Sequence, residues 1–152
     1  MTSTLRIAAL LLTTAGMFAC STTHSYLNVS PENLSLKSDI RSGTARMHVY
    51  YVDRSCEITY QGTVELTKPN MKIGIPVNSL SYLIFNFSDS SLFSGSHSVS
   101  YERYLKPRSG HRYDVAISYA DGMYAATIHE QSTKSRARKE IENTVPRICT
   151  TQ

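Results

Sequence analysis

The side chains of this chain that are able to do chemistry are five histidines (His24, His48, His97, His111 and His129), three cysteines (Cys20, Cys56 and Cys149) and a serine beside a histidine at Ser96 and His97. A zinc site draws its ligands from short regular spacings, and the sequence holds neither a His-Glu-x-x-His nor a Cys-x-x-Cys pattern, so no metal ligand is expected. A serine nucleophile on an elbow needs Gly-x-Ser-x-Gly between a strand and a helix, which the run Phe93-Ser94-Gly95-Ser96-His97 does not supply. Adjacency of Ser96 and His97 is no substitute, because the members of a triad meet through the fold and not along the chain. A glycine-rich phosphate loop is also missing. The expectation is a protein with no catalytic residue and no cofactor, one that acts by binding.

Two features suit binding. Between Ser88 and Ser100 seven serines surround the apolar pair Leu92 and Phe93, so this stretch is either a loop presenting two anchors to a partner or a loop with both tucked onto the rim of the domain. The chain also has 10 Tyr and no Trp. Tyr50, Tyr60, Tyr101 and Tyr104 are candidates for an aromatic sugar-binding strip, although tyrosine is equally a favoured strand residue.

The elements that must position these groups read as strands. From Thr44 to Asp53, Ala45, Met47, Val49 and Tyr51 share one face and Arg46 and His48 the other, the period-two pattern of a half-buried strand. Similar runs follow at Glu57–Tyr60, Thr63–Leu66, Met71–Ile75, Tyr82–Phe87, His97–Tyr104, Tyr113–Tyr119 and Tyr124–Glu130. Asp121-Gly122 supplies the positive φ angles of a tight hairpin, so the last two runs should pair antiparallel. The spacing predicts an all-β antiparallel sandwich of 7–8 strands over residues 43–152. Thr133 to Asn143, with Ala137 and Ile141 four apart and Pro146 beyond, is expected as a short C-terminal helix. Residues 20–42 are polar and read as a tether able to reach about 70 Å when extended, with an optional edge strand at Tyr26–Val29.

Residues 1–19 form a processing signal: Arg6, then the apolar run from Ile7, then a small-residue exit. The apolar run is too short for a spanning helix. With Cys20 behind Met17, Phe18 and Ala19, this segment resembles the lipobox of bacterial lipoproteins. The resemblance implies a diacylglyceryl group on the Cys20 thiol, cleavage before it, and acylation of the new amine with a palmitate-type chain. Ser21, where an Asp commonly retains such proteins in the inner membrane, implies the periplasmic face of the outer membrane. With Cys20 taken by lipid, Cys56 and Cys149 remain as an even pair in an oxidising compartment, which reads as a disulfide. The segment Leu105, Lys106, Pro107, Gly110, Tyr113 and on to Asp121-Gly122 is also similar to small bacterial β-sandwich lipoproteins, in which a Gly-x-x-Tyr step starts the penultimate strand.

The formal net charge is +4, and Lys134, Arg136, Arg138 and Lys139 form a basic cluster. Export argues against nucleic acid as a partner, and Glu140 and Glu142 balance the cluster as a solvated face. The resulting expectation is a lipid-anchored, non-catalytic envelope lipoprotein that binds an envelope protein or serves as an accessory subunit, as type VI secretion lipoproteins of similar size do. The alternative is a secreted or periplasmic binder of sugar, lipid or a hostile enzyme.

Overall fold

The computed structural model describes residues 24–29, 31–40, 43–91, 95–120 and 123–142. They form nine strands: β1 (Leu34–Ser38), β2 (Thr44–Val52), β3 (Ile58–Glu65), β4 (Asn70–Ile73), β5 (Leu80–Ser91), β6 (Gly95–Leu105), β7 (His111–Ala120), β8 (Met123–Ser132) and β9 (Arg138–Glu140). One sheet has the order β3-β2-β5-β6 and the other β4-β1-β7-β8-β9. The expected all-β sandwich is what the chain forms. Period-two alternation drives it: Met47, Val49, Leu83, Phe85 and Phe87 point inward from the first sheet and meet Leu36, Val115, Ile117, Ala126 and Ile128 from the second, all essentially buried in one apolar cluster.

Four details depart from the sequence reading. First, the sandwich is not wholly antiparallel, because β1 runs parallel to β7, Leu36 opposite Val115, with β4 antiparallel on its other side. Parallel neighbours need a long crossover, and here the whole first sheet is made between β1 and β7. Second, the stretch expected as a tether enters the domain before residue 42. Leu34 and Leu36, each 1% exposed, alternate with Ser35 and Lys37 and join the core. Two leucines are too few to raise a periodic signal, but two partner strands complete the pattern. Tyr26–Val29 forms no strand; the residue before it, Ser25, makes an isolated bridge to Thr63 of β3.

Third, no helix occurs among the described residues, and the expected C-terminal one is replaced by a turn at Ser132–Ser135 followed by β9, which pairs with β8. An isolated helix of that length with a narrow apolar face is marginal. The free edge of β8 satisfies the same backbone groups, Asp114 holds Arg138 at 3.1 Å, and Ile141 packs on the core. Fourth, the serine-rich stretch is mostly strand: β5 and β6 stay paired as far as Ser91 opposite Gly95. Leu92 and Phe93 lie outside the described residues, as do Asp121 and Gly122, although Ala120 opposite Met123 gives β7 and β8 the expected two-residue connection.

Two close approaches demand glycine. At Gly74 a Cβ would sit 1.6 Å from the Val29 carbonyl oxygen, and at Gly62, with φ 135°, it would sit 2.6 Å from the Tyr26 Cα. Gly62 adjoins the bulge where Val49 pairs with Gly62 but Tyr50 with Tyr60, which joins the two runs expected between Glu57 and Leu66 into one strand. These contacts seat residues 24–26 along the β3 edge, where the Tyr26 N–H donates to Thr63 (2.9 Å) and the Thr63 N–H to His24 (3.0 Å), and Val29 against Gly74 just past β4.

Candidate binding surface

In β2 and β5 the residues that alternate with the core face away from it. The register places Tyr60, Tyr50, Tyr82 and Tyr104 opposite one another in a single row across all four strands of the first sheet. Ring centroids are 5.3 Å apart for Tyr50–Tyr60, 5.8 Å for Tyr50–Tyr82 and 4.8 Å for Tyr82–Tyr104, and His24 adds an edge contact to Tyr60 at 4.9 Å. Cross-strand aromatic pairs stiffen a sheet, each worth about 0.5–1.5 kcal/mol beyond the area they bury. Tyr82 and Tyr104 lie only 26° from parallel, so they spend ring faces on each other. The stacked faces of that pair are therefore not open to a ligand. A sugar stacks on an open ring face, so the arrangement is less suited to a glycan than to the mixed apolar and hydrogen-bonding contacts of a protein surface, where tyrosine is enriched.

The surroundings give the surface two halves. Toward the end of β2, Ile58 (47% exposed) and Leu80 flank Val52 beside the tyrosines. In the other direction the face turns polar, with Arg46 paired to Glu65 at 2.9 Å and the Ser100 hydroxyl donating to Asn86 at 2.7 Å. An apolar patch rimmed by polar groups is the usual form of an interaction site. Burial holds the Tyr82 phenol far above its ordinary pKa, aided by the Glu102 carboxylate, and burial beside Tyr60 raises Tyr50. Both stay neutral donors at any physiological pH.

His48 sits one row along, its Nδ1 2.6 Å from the Thr63 Oγ1, which is also 2.6 Å from the Tyr60 hydroxyl. Burial, and after it the Arg46 charge, lowers the His48 pKa, so the ring is neutral near pH 7. Thr63 is 4% exposed, so this contact fixes the histidine and does not present a nucleophile to solvent. A groove of about 280 Å³ opens beside the row, lined by Tyr26, Leu27, Val29, Tyr51, Gln61 and Pro76. Tyr51 lies on the inward side of β2, as its spacing predicts, but at the mouth of this groove, and is 39% exposed.

No family model matches the chain, and no curated protein matches it closely enough to count as a relative.

The positions singled out from the sequence fall in several places. Cys20, Cys149, Leu92 and Phe93 lie outside the described residues. Cys56 is half-buried in the turn between β2 and β3 with φ 66°, and its N–H donates to the Asp53 carbonyl at 3.2 Å. Asp53 organises that turn: Oδ1 accepts the Ser55 N–H (2.8 Å), the Ser55 hydroxyl (2.7 Å) and the Glu57 N–H (2.9 Å), bonds that hold its pKa low. Of the four tyrosines proposed as a strip, Tyr50, Tyr60 and Tyr104 share the row, while Tyr101 turns inward against Phe87 at 6.0 Å. Tyr101 and Tyr104 are three apart, which in a strand means opposite faces; that parity, applied across the strands, also brings in Tyr82.

The Gly-x-x-Tyr step is structural. The Tyr113 hydroxyl accepts the Arg108 N–H at 2.8 Å and donates to Glu130 at 2.7 Å, and the Arg108 Nε donates to the same carboxylate at 2.9 Å. A tyrosine at a strand start bonded to backbone upstream is a device that fixes corners in β-sandwiches. Arg108, with Tyr113, holds Glu130 below the usual carboxylate range.

Proposed function

We propose that this protein is a lipid-anchored envelope lipoprotein, held through Cys20 on the periplasmic face of the outer membrane, whose sandwich acts without catalysis as a binding or accessory subunit for another envelope protein. The tyrosine row carries the binding part of this proposal: it is a preformed, neutral, half-buried aromatic surface with a polar margin. The Met17-Phe18-Ala19-Cys20 segment supports the anchor. A disulfide between Cys56 and Cys149 completes the proposal. Closing a loop of 93 positions, from Cys56 to Cys149, is worth about 4–5 kcal/mol in the chain-entropy model.

Intact mass of the protein from a membrane fraction, with and without reductant, tests the anchor and the disulfide together. The expected species starts at Cys20, carries a diacylglyceryl and an acyl group, and gains two protons on reduction. An unmodified chain would move the proposal to the secreted or periplasmic alternative. For the binding role, crosslinking in intact cells should recover a defined envelope complex from the wild type and lose it in a Tyr50→Ala/Tyr82→Ala variant that still folds. A complex indifferent to both substitutions would remove the tyrosine row from the proposal.

A further inference from the structure

A strand at the edge of a sheet presents unpaired N–H and C=O groups to any chain that can align with them, and proteins shorten, cover or charge such edges. Three of the four edges here are handled in those ways. The β3 edge is covered by residues 24–26 through the two backbone bonds at Thr63, β4 has 4 residues, and β9 has 3. The edge strand β6 has 11 residues, pairs only with β5 among the described residues, and contains no proline and no lysine. Its side chains from His97 to Ser100 are exposed, and Val99, on the core side of the strand, is 38% exposed.

We infer that β6 pairs with β6 of a second copy of this chain, antiparallel and centred on Ser100, to make one eight-stranded sheet across the two molecules. The register follows from three conditions. Both cores must stay on the same face of the joined sheet, which requires outward residues opposite outward ones and inward opposite inward. Ser100 is the midpoint of Gly95–Leu105, so centring there pairs the whole strand, and it opposes Ser98 to Glu102 and Val99 to Tyr101. Centring on Glu102 would instead set that carboxylate against its own copy, and like charges directly opposite destabilise a sheet. In the Ser100 register the exposed Val99 gains an aromatic neighbour that already packs on the core through Phe87. Arg103 comes opposite His97, but its guanidinium is directed to the Ala126 carbonyl of the other sheet at 3.0 Å. A two-fold axis through Ser100 is isologous and closed, so association stops at the dimer. Both tyrosine rows then lie on one face. Residues 24–26 sit on the β3 edge, at the far side of the sheet from β6.

A cysteine scan in the full-length protein in its native membrane tests the pairing. Residues opposite each other in an antiparallel pair have Cα atoms roughly 4.5–5.5 Å apart, within reach of a disulfide, whereas a residue two positions from the axis is roughly 13 Å from its own copy. Ser100→Cys should therefore give a dimer band on a non-reducing gel under mild oxidation, and Ser98→Cys and Glu102→Cys should not. Adding Val99→Lys to Ser100→Cys should abolish the band, and a melting curve that still shows one cooperative transition assigns the loss to the joint and not to unfolding. A maximum at another β6 position overturns the register stated here. No band at any β6 position, in variants that melt like the wild type, overturns the pairing.

Discussion

Replacing Leu36 by Ala tests whether the N-terminal stretch is part of the folded domain. Leu36 is 1% exposed and sits in the middle strand of three, opposite Met71 of β4 and Val115 of β7. Truncation removes three carbon groups at about 0.8 kcal/mol each and leaves a cavity that a strand paired on both sides cannot collapse, so the total is about 3 kcal/mol. Against a typical domain stability of about 5–15 kcal/mol that is a large fraction, and it lowers the melting temperature by roughly 10 °C for a domain of this size. The assay is thermal and urea unfolding followed by circular dichroism. The control is Leu27→Ala: Leu27 is 82% exposed and should change stability by no more than about 0.5 kcal/mol. If Leu36→Ala behaves like Leu27→Ala, β1 is not a core strand and the stretch is a tether after all.

Three further outcomes follow from local geometry. Glu130 is held below the usual carboxylate range first by Arg108 and then by Tyr113, so its folded pKa lies below its unfolded one; the stability it contributes is present above the unfolded value near 4.5 and is lost as pH falls through the folded value. Glu130→Gln should flatten that acid limb in a series of melting curves, and an unchanged limb would place the acid-sensitive group elsewhere. Gly74→Ala would push a Cβ to 1.6 Å from the Val29 carbonyl oxygen, so it should destabilise by at least about 1–3 kcal/mol in urea unfolding, and a neutral result would mean Val29 does not lie against Gly74. Tyr82→Ala should cost only about 1–3 kcal/mol of stability, since the ring is half-buried and its loss is that of partial burial plus two ring pairs, while removing the envelope complex in the crosslinking assay.

The parts of this fold that can be read from the sequence are those where burial and period coincide. β2, β5, β7 and β8 each carry at least three inward apolar residues at alternate positions, so any of them announces itself. β1 and β9 do not, because each is made a strand by its neighbours: β1 supplies two leucines to a slot between β4 and β7, and β9 has three exposed residues whose backbone the β8 edge accepts. The tyrosine row was half legible. Its members are plain in the sequence, but their alignment depends on which residue of one strand opposes which of the next, and that is set by the Tyr60–Gly62 bulge and by hairpin lengths no local pattern specifies. β6 was legible over His97–Tyr104; what the sequence did not show is how far its hairpin with β5 runs, to Ser91 opposite Gly95, because serine-rich sequence favours a loop locally and only the paired strand alongside makes it extended.

The early start of the domain changes where the proposed anchor would hold it. A tether running to residue 42 would let the sandwich range about 70 Å from the membrane, but His24 already contacts Tyr60. Four residue steps separate Cys20 from His24, and an extended chain covers at most about 14 Å in that span. A lipidated Cys20 therefore puts the β3 end of the tyrosine row against the headgroups; in the β6-paired dimer both β3 edges, seven strand spacings of about 4.8 Å apart, meet the same membrane, so the joined sheet lies along it. A partner using this surface must then be at the membrane itself, not across the periplasm. Energy transfer from a dye at Gln61→Cys to a headgroup acceptor should be high in the native-length protein, and a ten-residue flexible insertion after Ser21 should bring it down. Transfer from Gln61→Cys that the insertion leaves unchanged would mean that the anchor does not hold the sandwich by its β3 edge.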